Sequence, residues 1–198
     1  MSTSANTVQI IGVSGTNGSG KDTMAAMLAK HYSFLNASAT EMFLDELARR
    51  GWPVDREHKA KLSAEWRREY GMGVIVDKAL EMFNSQPGVY KGIVVGSLRH
   101  PGEADRVHEL GGTMVWLDAE PKIRYERIQA NLAEREGKHA EQNKSFEEFL
   151  AEEQREMHPT GDEATLNMSA VKGRADVTLF NNGGIEDFLN QAQAALKL

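Results

Sequence analysis

Apolar positions in this chain alternate between short, nearly unbroken runs and longer stretches with helical spacing. Gly92 to Val95 and Thr113 to Leu117 are continuous apolar runs, and Val8 to Val13 is close to one. Such runs are the pattern of strands buried on both faces of a parallel sheet. Ser33 to Asn36 predicts a second, shorter strand, and Asp176 to Phe180 predicts the last. The intervening segments repeat at three to four residues and predict helices over Asp22 to His31, Thr40 to Arg50, Glu57 to Tyr70, Val74 to Phe83, Gly102 to Leu110 and Pro121 to Ala133. The Thr40 helix is expected to turn Met42, Phe43, Leu47 and Ala48 inward, and Gly51-Trp52-Pro53 ends it. Ser145 to Met157 opens with a Ser145/Glu148 capping box, and His158 to Asp162 is a loop. The C-terminal helix places Ile185, Phe188, Leu189 and Ala192 on one face. Between the Pro121 and Ser145 helices, Glu134 to Lys144 is polar and charged, a candidate lid.

Strands alternating with helices imply an α/β, doubly wound, mainly parallel sheet of about five strands flanked by helices. Ligands in such sheets bind at the carboxyl ends of the strands, so the residues just past each strand carry the functional question.

Composition narrows the classes. The 198 residues suit one α/β domain with a single sizeable core, and 40% hydrophobic with 26% charged residues is ordinary for a globular protein. A net charge of −6 without a basic run argues against nucleic acid as the main partner. Cysteine is absent, and the six histidines show no paired-ligand spacing, so no zinc site is expected. No stretch approaches the ~20 apolar residues of a membrane helix. Met1 to Thr7 reads as a short polar tail, and the expected location is cytoplasmic.

The strongest chemical signal is Gly15-Thr16-Asn17-Gly18-Ser19-Gly20-Lys21-Asp22-Thr23, set between the first strand and the first helix. A glycine-rich turn ending in Gly-Lys wraps backbone N–H groups around nucleotide phosphates, with the helix N-terminus adding positive potential and Lys21 reaching the β/γ oxygens. The position after the lysine normally holds Ser or Thr for Mg²⁺; here it is Asp22. Its carboxylate either ligates Mg²⁺ or serves as an acid favoured at a helix start, while Thr23 offers its hydroxyl to the α-phosphate.

Arginines follow two later strands. Arg99 lies four residues past the third strand, placed to grip a phosphate bidentately or to pair with an acid such as Glu103. Arg124 and Arg127 share a helix face by their i, i+3 spacing, and either deliver charge to a transferring phosphoryl group or pair with Glu126 and Glu134.

These segments together, with Ile93 to Glu103, Leu117 to Arg127, Phe146 to Glu156 and Ala175 to Gly183, resemble the small P-loop kinases. The resemblance is to an adenylate-kinase-like archaeal and bacterial group related to nucleoside monophosphate kinases and dephospho-CoA kinase. The Gly-Lys-Asp-Thr loop ending is also similar to that of phage deoxynucleoside monophosphate kinases. The resemblance implies one kinase domain over residues 1–198, with an acceptor-binding helical region at about 37–85 and a lid at about 128–165. It implies ATP with Mg²⁺ as donor and a small phosphorylated acceptor, most simply a nucleoside or deoxynucleoside monophosphate. Lys21 would clamp the β/γ phosphates, Arg124 and Arg127 would stand on the lid side, and Arg99, with Arg67 or Arg68, would meet the acceptor phosphate. Asn181, Asn182 and Gly183 would lie against adenine. Glu41 and Leu44 replace an Asp and an Arg of relatives, and Gly96 replaces an Asp, which leaves Asp22 or Glu41 as the acid nearest Mg²⁺. Asp118 ends a run that looks like a magnesium motif, but in relatives that segment leads into the lid helix. The competing expectations are a metabolite kinase of the dephospho-CoA type and a nucleotide-binding regulator without transfer activity.

Overall fold

The computed structural model describes residues 8–134, 144–158 and 161–198. The elements in chain order are β1 (Gln9–Gly15), α1 (Lys21–Tyr32), β2 (Phe34–Ser38), α2 (Ala39–Arg50), α3 (Arg56–Tyr70), α4 (Val74–Asn84), β3 (Gly92–Gly96), α5 (Pro101–Glu109), β4 (Thr113–Asp118), α6 (Pro121–Glu134), α7 (Phe146–Met157), α8 (Met168–Lys172), β5 (Val177–Phe180) and α9 (Ile185–Leu196). The candidate lid falls mostly outside the described residues, as does the N-terminal tail.

The described strands form a five-stranded sheet in the order β2-β3-β1-β4-β5, with every neighbouring pair parallel. β1 is central because it is apolar on both faces: Ile10 packs into one core cluster, Ile11 and Val13 into the other. Each fully buried side chain of this kind contributes about 1.5–3 kcal/mol, so a strand covered on both sides anchors the sheet. The chain reverses direction across the sheet at β1, where β3 lies on one side and β4 on the other. The carboxyl ends of the strands flanking this switch point, Gly15, Gly96 and Asp118, therefore open onto one crevice.

The second strand is displaced from its expected position. Ser33 sits in the left-handed region at φ 59° as the C-cap of α1, so the strand starts at Phe34 and runs to Ser38, directly into α2. Two inward-facing expectations fail. Ala48 and Ile185 are both solvent-exposed, because the neighbouring surface is filled by Leu47 in one helix and by Phe188 and Ala192 in the other. The Ser145/Glu148 capping box forms as expected. The short helix α8 carries no strong periodicity in its sequence; Met168 and Val171 seat it on the core.

Candidate functional site

The loop from Gly15 to Gly20 leaves β1 and enters α1, whose first N–H groups have no intrahelical acceptor and form an anion-binding end. Two glycines are needed by their neighbours as well as by their backbone angles. At Gly18 (φ 78°) a Cβ would lie 2.7 Å from the Arg124 carbonyl oxygen, and at Gly20 (φ 102°) one would lie 2.5 Å from Asn181 Nδ2. The loop is thus braced by residues more than a hundred positions away.

Lys21 Nζ donates to the Gly15 and Thr16 carbonyls at 3.0 and 2.7 Å, folding back over the loop. Burial, and next the Arg99 guanidinium, pull its pKa down from 10.5 to about 8, against the opposing pull of Asp22 and Glu156. The negative charge of a polyphosphate would oppose both by favouring the charged lysine.

Arg124 faces the loop, but it is buried and its donors are committed. Nε donates to Ala119 O at 2.7 Å, Nη1 to Asn17 O at 3.3 Å and to Glu153, and Nη2 to Glu153 Oε1 at 2.9 Å. The Phe149 ring lies under the guanidinium, 5.4 Å from its carbon. Four of its five N–H groups are used, so Arg124 braces the loop in this arrangement, and its carboxylate partner comes from α7. Arg127 donates to the Asn181 carbonyl at 2.9 Å, and Asn181 Nδ2 donates to Ser19 O at 2.9 Å. Asn182 Oδ1 accepts from Glu120 N at 2.7 Å, while Asn182 and Gly183 are exposed beside the loop. The Thr16 hydroxyl donates to Asp118 Oδ1 at 2.8 Å, so Asp118 ties β4 to the loop.

Past β3, Ser97 takes a positive φ of 63°, a turn that throws the following residues over the crevice. Arg99 Nη1 pairs with Glu156 Oε1 of α7 at 2.9 Å; the neighbour Glu103 instead accepts the Arg99 backbone N–H at 2.7 Å. Here lies a cavity of about 550 Å³ whose lining includes Asn17, Phe43, Arg56, Lys59, Arg99 and Glu156. Arg67 also reaches its wall but is unavailable for an acceptor phosphate. It is buried against Glu103, with Nη2 2.8 Å from Oε1, and donates to Ala164 O at 2.9 Å. Arg68 is exposed and pairs with Asp162. Sequence reasoning missed Arg56 and Lys59, which no local motif marks. Both stand on the first turn of α3, which only the tertiary fold brings beside Arg99.

His100 caps α5 through Nδ1, which accepts from Gly102 N, while Nε2 donates to Glu163 O at 2.7 Å. Burial lowers its pKa, consistent with a neutral ring committed on both nitrogens.

For Mg²⁺, Asp22 offers an exposed hard oxygen in the first turn of α1, and Glu41 lies exposed on α2. The N-cap of the helix is Gly20, with no side-chain capping bond, so Asp22 is not its N-cap. Among the described residues no three acidic or histidine side chains converge, so the donor set fits an ion held mainly by phosphates and water with one carboxylate. No described helix is long and apolar enough to cross a membrane.

The chain is 26% identical over 195 residues to a UPF0200/UPF0201 protein of Archaeoglobus fulgidus, covering 96% of this chain and 56% of that one, little more than half the relative's length. It is 25% identical over 183 residues to a UPF0200 protein of Thermococcus kodakarensis, covering 90% and 91%. Among solved structures, shikimate kinase from Bacteroides thetaiotaomicron superposes with a TM-score of 0.58 at 14% identity, covering 96% of this chain and 99% of that one. The protein TT1252 from Thermus thermophilus gives 0.56 at 22% identity, covering 96% and 97%. Shikimate kinase from Aquifex aeolicus gives 0.54 at 15% identity, covering 96% of each. These likenesses establish the fold of a small P-loop kinase. Residues 11–155 match the AAA domain family, and the chain belongs to that family of P-loop domains.

Proposed function

We propose that the protein transfers the γ-phosphoryl group of ATP to a small phosphorylated acceptor, a nucleoside or deoxynucleoside monophosphate. The donor would occupy the Gly15–Thr23 loop and the acceptor the 550 Å³ cavity. One observation carries the reading: Asn17 of the glycine-rich loop and Arg99 line the same cavity, which supports a donor and an acceptor bound next to each other. In-line transfer depends on holding two reactants together and on neutralising charge, which adjoining sites that present Arg56, Lys59 and Arg99 would supply.

The walls divide by chemistry. Ala39, Phe43 and Ile75 are apolar, whereas the charged wall sets Arg56, Lys59, Arg67 and Arg99 against Glu57, Glu103 and Glu156, a lining suited to a flat apolar body whose anionic end meets the cations. Arg56 brings from α3 the guanidinium that Leu44 does not bring from α2. Lys21 would hold the β/γ oxygens, Thr23 the α-phosphate, and Asp22 would give Mg²⁺ one oxygen. Mg²⁺ when bound neutralises the charge of the terminal phosphates. Arg124, Arg127 and Asn181 would act by fixing the loop, with Asn182 and Gly183 along the adenine.

The test is the full chain with ATP, Mg²⁺ and a panel of nucleoside and deoxynucleoside monophosphates plus dephospho-CoA. ADP release with a monophosphate supports the reading. Release with dephospho-CoA alone moves the protein to the metabolite kinases, and release with none leaves a nucleotide-binding regulator.

A further inference from the structure

The cavity already contains an anion of the protein's own. Glu156 Oε1 lies 2.9 Å from Arg99 Nη1 and 3.7 Å from Arg56 Nη1, whose nearer partner is Glu152 Oε2 at 2.9 Å, so one carboxylate oxygen stands bonded to one guanidinium and within ion-pair reach of a second. Glu156 belongs to α7, whereas Arg99 follows β3 and Arg56 opens α3. Three separate elements meet at that oxygen.

We infer that Glu156 is an internal competitor for the oxyanion position of the cavity and thereby sets which ligands enter. This rests on the reading of the cavity as an acceptor site. The pairs it makes are exchangeable. The side chains are 20%, 33% and 40% exposed for Glu156, Arg99 and Arg56, and ion pairs at that exposure are screened and weak. The Arg67–Glu103 pair in the same wall is buried at 3% and 1% and is not open to exchange.

A filter follows from charge. A ligand with one carboxylate offers Arg99 nothing that Glu156 does not already offer, and offers Arg56 nothing beyond Glu152 and Glu156, both of which have the advantage of being tethered. A phosphate dianion brings more charge and three oxygens, enough to take both arginines at once. Glu156 thus favours phosphorylated ligands over monocarboxylates of similar size. An internal competitor also weakens every anion's apparent affinity by the fraction of time it holds the site.

The experiment is a pair of titrations of the full ¹⁵N-labelled chain, with ADP present to fill the phosphate loop. The side-chain Nε–Hε resonances of Arg99 and Arg56 are followed against inorganic phosphate and against acetate. In the parent protein, phosphate is expected to move both resonances and acetate to move neither. Glu156→Gln is expected to tighten phosphate binding about tenfold and to make acetate binding measurable. Glu147→Gln removes the same charge from an exposed position in the first turn of the same helix, away from both arginines, and is expected to change phosphate affinity by less than about twofold.

Unchanged or weaker phosphate binding in Glu156→Gln overturns the inference, as does an equal effect of Glu147→Gln, which would reduce the matter to net charge. Failure of the underlying reading has a different signature: phosphate would move neither arginine resonance in the parent or in Glu156→Gln.

Discussion

Glu103 receives the Arg67 guanidinium on one carboxylate oxygen, Nη2 to Oε1 at 2.8 Å, and the backbone N–H groups of Arg99 and His100 on the other, at 2.7 and 3.0 Å. One buried side chain therefore fixes both α3 and the turn that carries Arg99. Removing either partner of such a pair leaves an uncompensated buried charge, which costs about 3–5 kcal/mol. Arg67→Ala is expected to lose that much in urea denaturation. Arg67→Met combined with Glu103→Gln, which keeps an acceptor for the two N–H groups, is expected to recover most of it. A loss under about 1 kcal/mol in the single variant would falsify the assignment of this pair as the anchor.

Lys21 links phosphate binding to protons. Its pKa in the free protein is about 8, below the ordinary 10.5, and a bound polyphosphate pulls it back up. Above pH 8 the free protein has lost the proton that the complex holds, so binding takes up a proton and affinity falls as pH rises. In the absence of ligand the linkage has the opposite sense. Between pH 8 and 10.5 the unfolded chain binds the extra proton, so this residue makes stability rise with pH across that window. Calorimetry of ADP binding in buffers of different ionisation enthalpy checks the uptake, and Lys21→Arg should abolish it. Lys21→Ala is expected to cut transfer by about 10²–10³-fold with the fold intact. Near-normal turnover would overturn the kinase proposal.

Asp22 separates its two roles by metal dependence. If its carboxylate ligates Mg²⁺, Asp22→Asn raises the Mg²⁺ concentration giving half-maximal turnover, by about tenfold for one lost hard-oxygen ligand. An unchanged titration accompanied by a small loss of thermal stability would assign the residue to the helix N-terminus instead.

Arg99 is expected to recognise the acceptor rather than ATP. A charge-assisted bidentate contact is worth about 1.5–3 kcal/mol, which is about a tenfold to hundredfold effect. Arg99→Lys keeps the charge but loses the planar fork, so acceptor KM should rise by that factor while ATP affinity stays nearly constant. Loss of ATP binding with acceptor affinity retained would move Arg99 to the donor site.

The sequence by itself determined the parts whose physics is local. The glycines of the phosphate loop are dictated by backbone angles within a few residues, and the buried strands announce themselves as apolar runs because both faces of each are covered. The order of strands and helices and the position of Lys21 were legible for that reason, as was the capping box at Ser145. Even so, the second strand was misplaced by a left-handed Ser33, whose conformation its neighbours in sequence do not reveal. The tertiary structure decided what each arginine does. Arg99 meets a carboxylate 57 positions away, Arg67 one 36 away and Arg124 one 29 away, and all three partners sit on other elements. The sequence supplies a cation at each place, but whether a guanidinium is buried and spent, as at Arg67 and Arg124, or left at the edge of a cavity, as at Arg99, depends on which distant acid the fold delivers to it. Charge pairing acts through space, and the chain between the partners carries no record of it.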